Sequence, residues 1–81
     1  MDQFKTALVN LIAEESGLDP VDLDSAAGLM STGLLDSFAL VSVVSFVETH
    51  LGEELPPADL TFENFDTIAR ICSYVERARA A

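Results

Sequence analysis

Hydrophobic residues recur at helical spacing in three stretches of this chain, separated by segments rich in turn-forming residues. Asp2 is a candidate N-cap for the first stretch, and Gly17 is typical of a helix end. Between them, steps of three and four residues place one apolar set on a single helix face. That set consists of Phe4, Ala7, Leu8, Leu11 and Ile12.

The second stretch shows the clearest helical pattern. Its length favours a helix, although its four valines mildly favour a strand. We expect Asp36 or Ser37 to begin this helix and Gly52 to end it, with His50 in the last turn, where a partial positive charge is favourable. The predicted inward face consists of Leu40, Val44, Val47 and Leu51, which follow one another at steps of four, three and four residues, together with Val43, which widens the face.

Two connections separate these helices from the third. Residues 18–35 form a loop of about 18 residues, which is long for a compact domain unless the loop has a function. We expect its hydrophobic residues to hold it against the core; they are Leu18, Val21, Leu23, Leu29 and Met30. Residues 53–59 contain Pro56 and Pro57 and are predicted to be extended, with a short helical turn following at residues 60–64.

The last hydrophobic stretch predicts a final helix, with Asp66 as its N-cap and a polar tail from Glu76 onward. Its inward face would be Ile68, Ile71, Cys72 and Val75. The whole pattern predicts an all-α fold and a single domain over residues 1–81. We expect a small antiparallel bundle of three main helices plus one short helix.

Composition narrows the possible partners. The chain has 81 residues, with 14 acidic and 4 basic side chains and a formal net charge of −10. This charge repels nucleic acid and favours basic protein surfaces. No stretch is apolar over the length that a membrane-spanning helix needs, and the first residues lack a signal peptide's pattern. We therefore expect a cytoplasmic monomer with neither membrane nor nucleic acid as partner.

Candidate catalytic and metal-binding residues are few. His50 lies 13 residues after Ser37 on the same predicted helix, and at 1.5 Å per residue the two are about 20 Å apart. Cys72 is the only cysteine and is interpreted as a buried structural thiol, so no intrachain disulfide can form. The aspartates at positions 19, 22 and 24 do not follow the register of a calcium-binding loop. We expect neither an enzyme nor a metal site.

The most informative segment places an aspartate and a serine at the start of the second helix, in the order Gly33-Leu34-Leu35-Asp36-Ser37-Phe38. One interpretation is an ordinary helix cap. The other is that Ser37 is a covalent attachment point, because free N–H groups and the positive end of the helix dipole suit a phosphodiester at that hydroxyl.

Three segments together resemble the acyl and peptidyl carrier proteins, and the resemblance covers nearly the whole chain. They are Leu35-Asp36-Ser37-Phe38, residues 48–52 and residues 60–68. The resemblance implies that Ser37 bears 4′-phosphopantetheine, transferred from coenzyme A by a Mg²⁺-dependent phosphopantetheinyl transferase. It also implies that Asp36 helps this transferase to dock and to place its metal.

The same resemblance implies a thioester on the thiol of the prosthetic arm. An adenylating ligase or an acyltransferase would load this acyl or aminoacyl unit, and a downstream synthase would receive it.

The second helix departs from the acidic pattern of fatty-acid carriers, because its predicted outward positions are apolar or hydroxylated. We predict a partner-binding surface formed by Leu34, Phe38, Ala39, Val41, Ser42, Ser45, Phe46 and Phe62. Some of these residues could equally belong to the core. An apolar surface favours discrete carriers of polyketide, nonribosomal peptide or amino-acid-activating pathways. Fatty-acid synthesis is the alternative, and an unmodified helical adaptor is an alternative of a different class.

Overall fold

Helices dominate residues 2–80, the part of the chain described by this computed structural model, in which side chains are described from residue 3 onward. The four α-helices are α1 (Asp2–Ser16), α2 (Ser37–Leu51), α3 (Phe62–Phe65) and α4 (Ile68–Ala80). Two single 3₁₀ turns, Pro20–Asp22 and Pro57–Asp59, lie in the connections. The predicted all-α architecture of three main helices and one short helix is confirmed. The Asp2 side chain, predicted as the first N-cap, lies outside the described residues.

Glycines end the first two long helices, as predicted. Gly17 and Gly52 have φ angles of 79° and 76°. The N–H of Gly17 donates to the Ala13 carbonyl at 2.9 Å, and that of Gly52 donates to the Glu48 carbonyl at 2.8 Å. A residue with a side chain is strained in this left-handed conformation, so glycine gives each helix a definite end.

The core lies where α1, α2 and α4 meet, and residues of the long loop and of α3 close it. Its largest fully buried side chains are Phe65, Leu8, Ile12, Leu29, Ile68, Ile71, Val43, Val47 and Val75. Most predicted inward positions of α1 and α4 are therefore correct. Ala7 is exposed and Cys72 is only half-buried, because both lie at the margins of their helix faces.

The buried face of α2 matches the predicted face only in part: Val43 and Val47 are buried as predicted, but Ala39 is buried in place of Leu40 and Val44. Ala39, Val43 and Val47 are buried at 4%, 1% and 0% exposure, while Leu40 and Val44 are only half-buried. Both α1 and α4 pack against this helix, and Ala39, Val43 and Val47 belong to the buried core cluster that the helices share. The helical spacing was predicted correctly, but the buried face is centred on Val43, to one side of the predicted face.

The long loop is held to the core by fewer residues than predicted. Leu29 is buried, and Leu23 and Met30 pack against the core. Leu18 and Val21, in contrast, are 40% and 83% exposed. The 3₁₀ turn at Pro20–Asp22 satisfies its own backbone through the Asp19 side chain, which leaves Val21 in solvent.

The sequence predicted Asp66 as the N-cap of the last helix, and this prediction is wrong. That position belongs to Thr67, whose hydroxyl accepts the Arg70 N–H at 3.0 Å. The Asp66 carboxylate turns instead to the long loop. Its Oδ1 accepts the backbone N–H groups of Leu29, Met30 and Ser31 at 3.2, 2.9 and 2.9 Å, and Oδ2 accepts the Ser31 hydroxyl at 2.7 Å. We call this set of hydrogen bonds the Asp66 clamp.

A second tether fixes the connection between α2 and α3. The Tyr74 hydroxyl of α4 donates to Asp59 at 2.7 Å, and the Asn64 amide donates to the Asp59 carbonyl at 2.9 Å. Burial, followed by this hydrogen bond, raises the pKa of Tyr74 to about 12, so the donor stays protonated at neutral pH. The tether holds Leu60 and Phe62, the residues that follow, beside α2.

The Asp66 clamp makes stability depend on pH. The Ser31 N–H lowers the pKa of Asp66 against the opposing effect of burial, and the Ser31 hydroxyl and the Met30 and Leu29 amides lower it further. A folded-state pKa below the ordinary value of 3.8 stabilises the fold above that pH. This stabilisation is lost as the pH falls through the lowered pKa.

Asp66→Asn should therefore be less stable than the wild type at neutral pH, and the difference should shrink as the solution is acidified below the ordinary carboxyl range. Urea unfolding followed by circular dichroism at a series of pH values measures both proteins. A difference in unfolding free energy that stays constant across the series would contradict this assignment.

Candidate functional site at the start of the second helix

Ser37 is the first residue of α2, and its side chain is exposed. The preceding Asp36 has an extended backbone, with φ −94° and ψ −174°, and its carboxylate accepts the Ala39 N–H at 2.9 Å. Asp36 is thus the N-cap, and the predicted helix start is correct. The Asp36 carbonyl also accepts the Leu40 N–H, at 3.0 Å. The cap is thus formed by Asp36, and the Ser37 side chain remains exposed beside it.

The backbone at this point is suited to an anion. The first N–H groups of a helix have no carbonyl partner within it, and they form the positive end of the helix dipole. The Asp36 cap satisfies the N–H of Ala39 and leaves those of Ser37 and Phe38 for another acceptor. A phosphodiester on the Ser37 oxygen would lie next to these donors.

An apolar groove begins at Ser37. A hollow of about 320 Å³ is lined by Met30, Leu35, Leu40 and Phe62 together with Asp36 and Ser37. A second hollow of about 330 Å³ shares Leu40 and continues along α2, where Val41, Val44, Ser45, Glu48 and Leu60 line it. These features suit the attachment of a flexible arm through a phosphate group: an exposed hydroxyl, backbone N–H groups without a helical partner, and an adjoining groove.

Beside the groove, α2 exposes large hydrophobic side chains. Phe38 is 85% exposed, Val41 is 66% exposed, and Phe62 of α3 is 57% exposed. No charged residue lies on α2 before Glu48. Apolar groups exposed together mark a surface on which a partner can bury them. Of the other residues predicted here, Ser45 is exposed, and Leu34 and Ser42 are half-buried.

Two residues predicted for this surface lie elsewhere. Ala39 is only 4% exposed and belongs to the core. Phe46 is half-buried, with its ring stacked on that of Phe4 in α1 at a centroid distance of 5.4 Å. Both differences arise because the buried face of α2 is centred on Val43, which brings Ala39 into the core and turns Phe46 towards α1. Met30 and Leu60 line the groove but were not predicted, because only the folded loops bring them beside α2.

The remaining reactive groups do not join this site. His50 lies at the opposite end of α2, with its ring 4.5 Å from that of Phe4. Burial raises the pKa of the Cys72 thiol, which keeps it in the unreactive form. Among residues 2–80, no three potential metal ligands cluster. Within the same range, none of the helices combines the length and the hydropathy required to cross a membrane.

Over residues 2–80, this geometry is that of a small helical scaffold that presents an exposed serine at a helix start. Comparison with known families gives the same answer, since residues 6–75 match the phosphopantetheine attachment site family. The chain belongs to this family of carrier proteins, whose cofactor is covalently bound 4′-phosphopantetheine. The family is generally non-catalytic.

Individual relatives are similar over almost their full length. The chain is 28% identical to the D-alanyl carrier protein of Lacticaseibacillus casei, over 96% of each chain. It is 30% identical to D-alanyl carrier protein 1 of Lactiplantibacillus plantarum, over 94% of each. With the D-alanyl carrier protein of Enterococcus faecalis the identity is 32%, over 90% of this chain and 94% of the relative.

The role of Asp36 as a cap can be tested separately from its charge. Asp36→Ala should lower the free energy of unfolding by about 1 kcal/mol, because the Ala39 N–H loses its partner. Asp36→Asn should stay close to the wild type, because asparagine caps equally well. Urea denaturation measures both. Equal losses in the two variants would mean that the carboxylate charge, rather than the cap hydrogen bond, stabilises the helix.

Proposed function

We propose that Ser37 is the attachment residue for 4′-phosphopantetheine and that the protein carries an aminoacyl unit on the arm as a thioester. The observation that carries the proposal is the exposed Ser37 hydroxyl at the first turn of α2, next to unpaired amides and the apolar groove. When bound, the cofactor supplies the thiol that holds the cargo. The chain itself supplies the attachment oxygen and the surface that enzymes recognise.

Attachment requires an external phosphopantetheinyl transferase. The Ser37 oxygen would form a bond to the pantetheine-bearing phosphorus of coenzyme A while the bond from that phosphorus to the bridging pyrophosphate oxygen breaks. Adenosine 3′,5′-bisphosphate would leave with the bridging oxygen, and the transferase would take the hydroxyl proton. Asp36 lies beside Ser37 and is exposed, so its second carboxylate oxygen could face the transferase and its Mg²⁺. His50 lies in the last turn of α2, at the opposite end from Ser37, so the transferase would supply the base for this step.

The aminoacyl cargo is proposed from two independent observations. The relatives described above are D-alanyl carrier proteins. In addition, α2 shows an apolar rather than acidic face, which suits recognition by an adenylating ligase through buried contacts. We therefore favour an amino-acid-activating pathway over the other candidate pathways, and we expect it to operate in the cytoplasm. A polyketide or nonribosomal peptide pathway is the finer alternative, and fatty-acid synthesis fits this α2 face less well.

The attachment residue can be tested by intact-mass spectrometry. With coenzyme A, Mg²⁺ and a broad-specificity transferase, the wild type should gain one phosphopantetheine mass and Ser37→Ala should gain none. Ser73→Ala, which removes an exposed hydroxyl of α4 outside the predicted partner surface, is the matched control and should be modified normally. A modified Ser37→Ala variant, or a wild type left unmodified by several transferases, would overturn the proposal. The mass of protein from its native host would also identify the cargo.

The partner surface is tested by loading kinetics. Phe38→Ala should lower kcat/KM for loading of the phosphopantetheinylated protein by a D-alanine-activating ligase about tenfold, as truncation of an aromatic anchor typically does. Its stability should change by less than about 0.5 kcal/mol, because Phe38 is exposed. Thr49→Ala, at the far end of α2, is the control. Unchanged loading of Phe38→Ala would remove this residue from the recognition surface.

A further inference from the structure

Asp66 lies in the α3–α4 junction, far along the chain from Ser37, yet its hydrogen bonds lead directly to the loop before α2. We propose that Asp66 is a positioning residue for Ser37: the clamp fixes residues 29–35 and thereby presents the start of α2 to the modifying transferase. This inference rests on the proposed role of Ser37 as the attachment residue.

In the clamp, one buried carboxylate accepts hydrogen bonds at both of its oxygens. Asp66 is only 7% exposed, and its Oδ1 receives three successive backbone N–H groups while Oδ2 receives the Ser31 hydroxyl. The Leu29 N–H also donates to the Asp66 carbonyl. A buried carboxylate without partners is strongly unfavourable, so the loop and the junction hold each other in one arrangement.

Gly28 provides independent evidence that this segment is shaped around the clamp. Its φ angle is not in the left-handed region, so backbone freedom does not account for a glycine there. A Cβ at this position would instead overlap the Ser31 hydroxyl and lie 3.3 Å from Asp66 Oδ2. The absent side chain leaves the room that the Ser31 hydroxyl needs to reach the carboxylate.

The connection from the clamp to Ser37 is short. The Leu29 carbonyl, next to a clamped N–H, accepts the Leu35 N–H at 3.0 Å. Leu35 is 3% exposed and immediately precedes Asp36, the N-cap of α2. A separate bond from the Ala69 N–H to the Ser25 carbonyl holds an earlier part of the loop but does not reach residues 29–35.

Loss of the clamp should affect binding more than chemistry. If residues 29–35 sample several conformations, only a fraction of the molecules presents Ser37 correctly. The apparent dissociation constant for the transferase then rises by the inverse of that fraction. Once bound, the correct conformation reacts as before. A positioning role thus predicts a higher KM for the carrier with little change in kcat.

The experiment measures steady-state phosphopantetheinylation at saturating coenzyme A, together with amide hydrogen exchange at residues 29–31 and 34–38. Asp66→Ala should raise KM about tenfold and leave kcat within about twofold. Asp66→Asn, which keeps one acceptor oxygen, should be intermediate, and Ser31→Ala and Gly28→Ala should show smaller increases. Exchange should accelerate at both sets of amides in the same order.

Val75→Ala is the matched control, because it removes buried volume from α4 at a residue that takes no part in the clamp. It should destabilise the protein without raising KM. A folded Asp66→Ala variant with wild-type KM and exchange, or an equal rise in KM for Val75→Ala, would overturn the inference. Should Asp66→Ala fail to fold, Ser31→Ala and Gly28→Ala must exceed Val75→Ala in KM or the inference is wrong.

Failure of the proposed function gives a different result. A wild type that no transferase modifies overturns the role of Ser37, whereas exchange at residues 34–38 still reports on the clamp. Unchanged exchange there in Asp66→Asn and Ser31→Ala would overturn the positioning role by itself.

Discussion

The carboxylate of Asp66 binds three consecutive backbone amides of the long loop and so joins two parts of the chain more than thirty residues apart. Residues 17–36 contain little regular structure, and their backbone donors need partners from elsewhere in the fold. One buried anion satisfies several of them at once. The loop can therefore be long and still hold the start of α2 in a defined place, as the proposed attachment at Ser37 would require.

Charge and hydrophobicity are separated on this small molecule. The net charge of −10 is carried outside the stretch from Ser37 to Val47, where α2 exposes Phe38 and Val41. Long-range attraction by acidic residues speeds the encounter with basic partners, while apolar contacts determine how long a complex lasts. A carrier that must visit several enzymes benefits from fast encounters and moderate contact area.

The fold holds the first turn of α2 in a defined position, and the family's cofactor is a flexible arm that extends from the carrier. Under the proposed attachment at Ser37, the Asp36 cap and the Asp66 clamp would present the first turn of α2 to each enzyme in the same position. A thioester on a flexible arm would then reach the active site of the bound enzyme at a high effective concentration. No catalytic group is needed in the carrier for this purpose.

Local sequence determined the end of α1 and both ends of α2, because an Asp cap and left-handed glycines act within a few residues: Gly17, Asp36 and Gly52 were assigned correctly. It also singled out Ser37, through its position behind that cap and the family resemblance. The side of α2 that is buried was decided only by tertiary packing. Every residue from 38 to 47 except Ser42 and Ser45 is apolar, so the pattern fits several faces, and contact with α1 and α4 selects Ala39, Val43 and Val47. The hydrogen-bond partners of Asp66 could not be predicted from the sequence either. An aspartate before a helix has the sequence pattern of an N-cap whether its carboxylate bonds to that helix or to a loop that folding brings close.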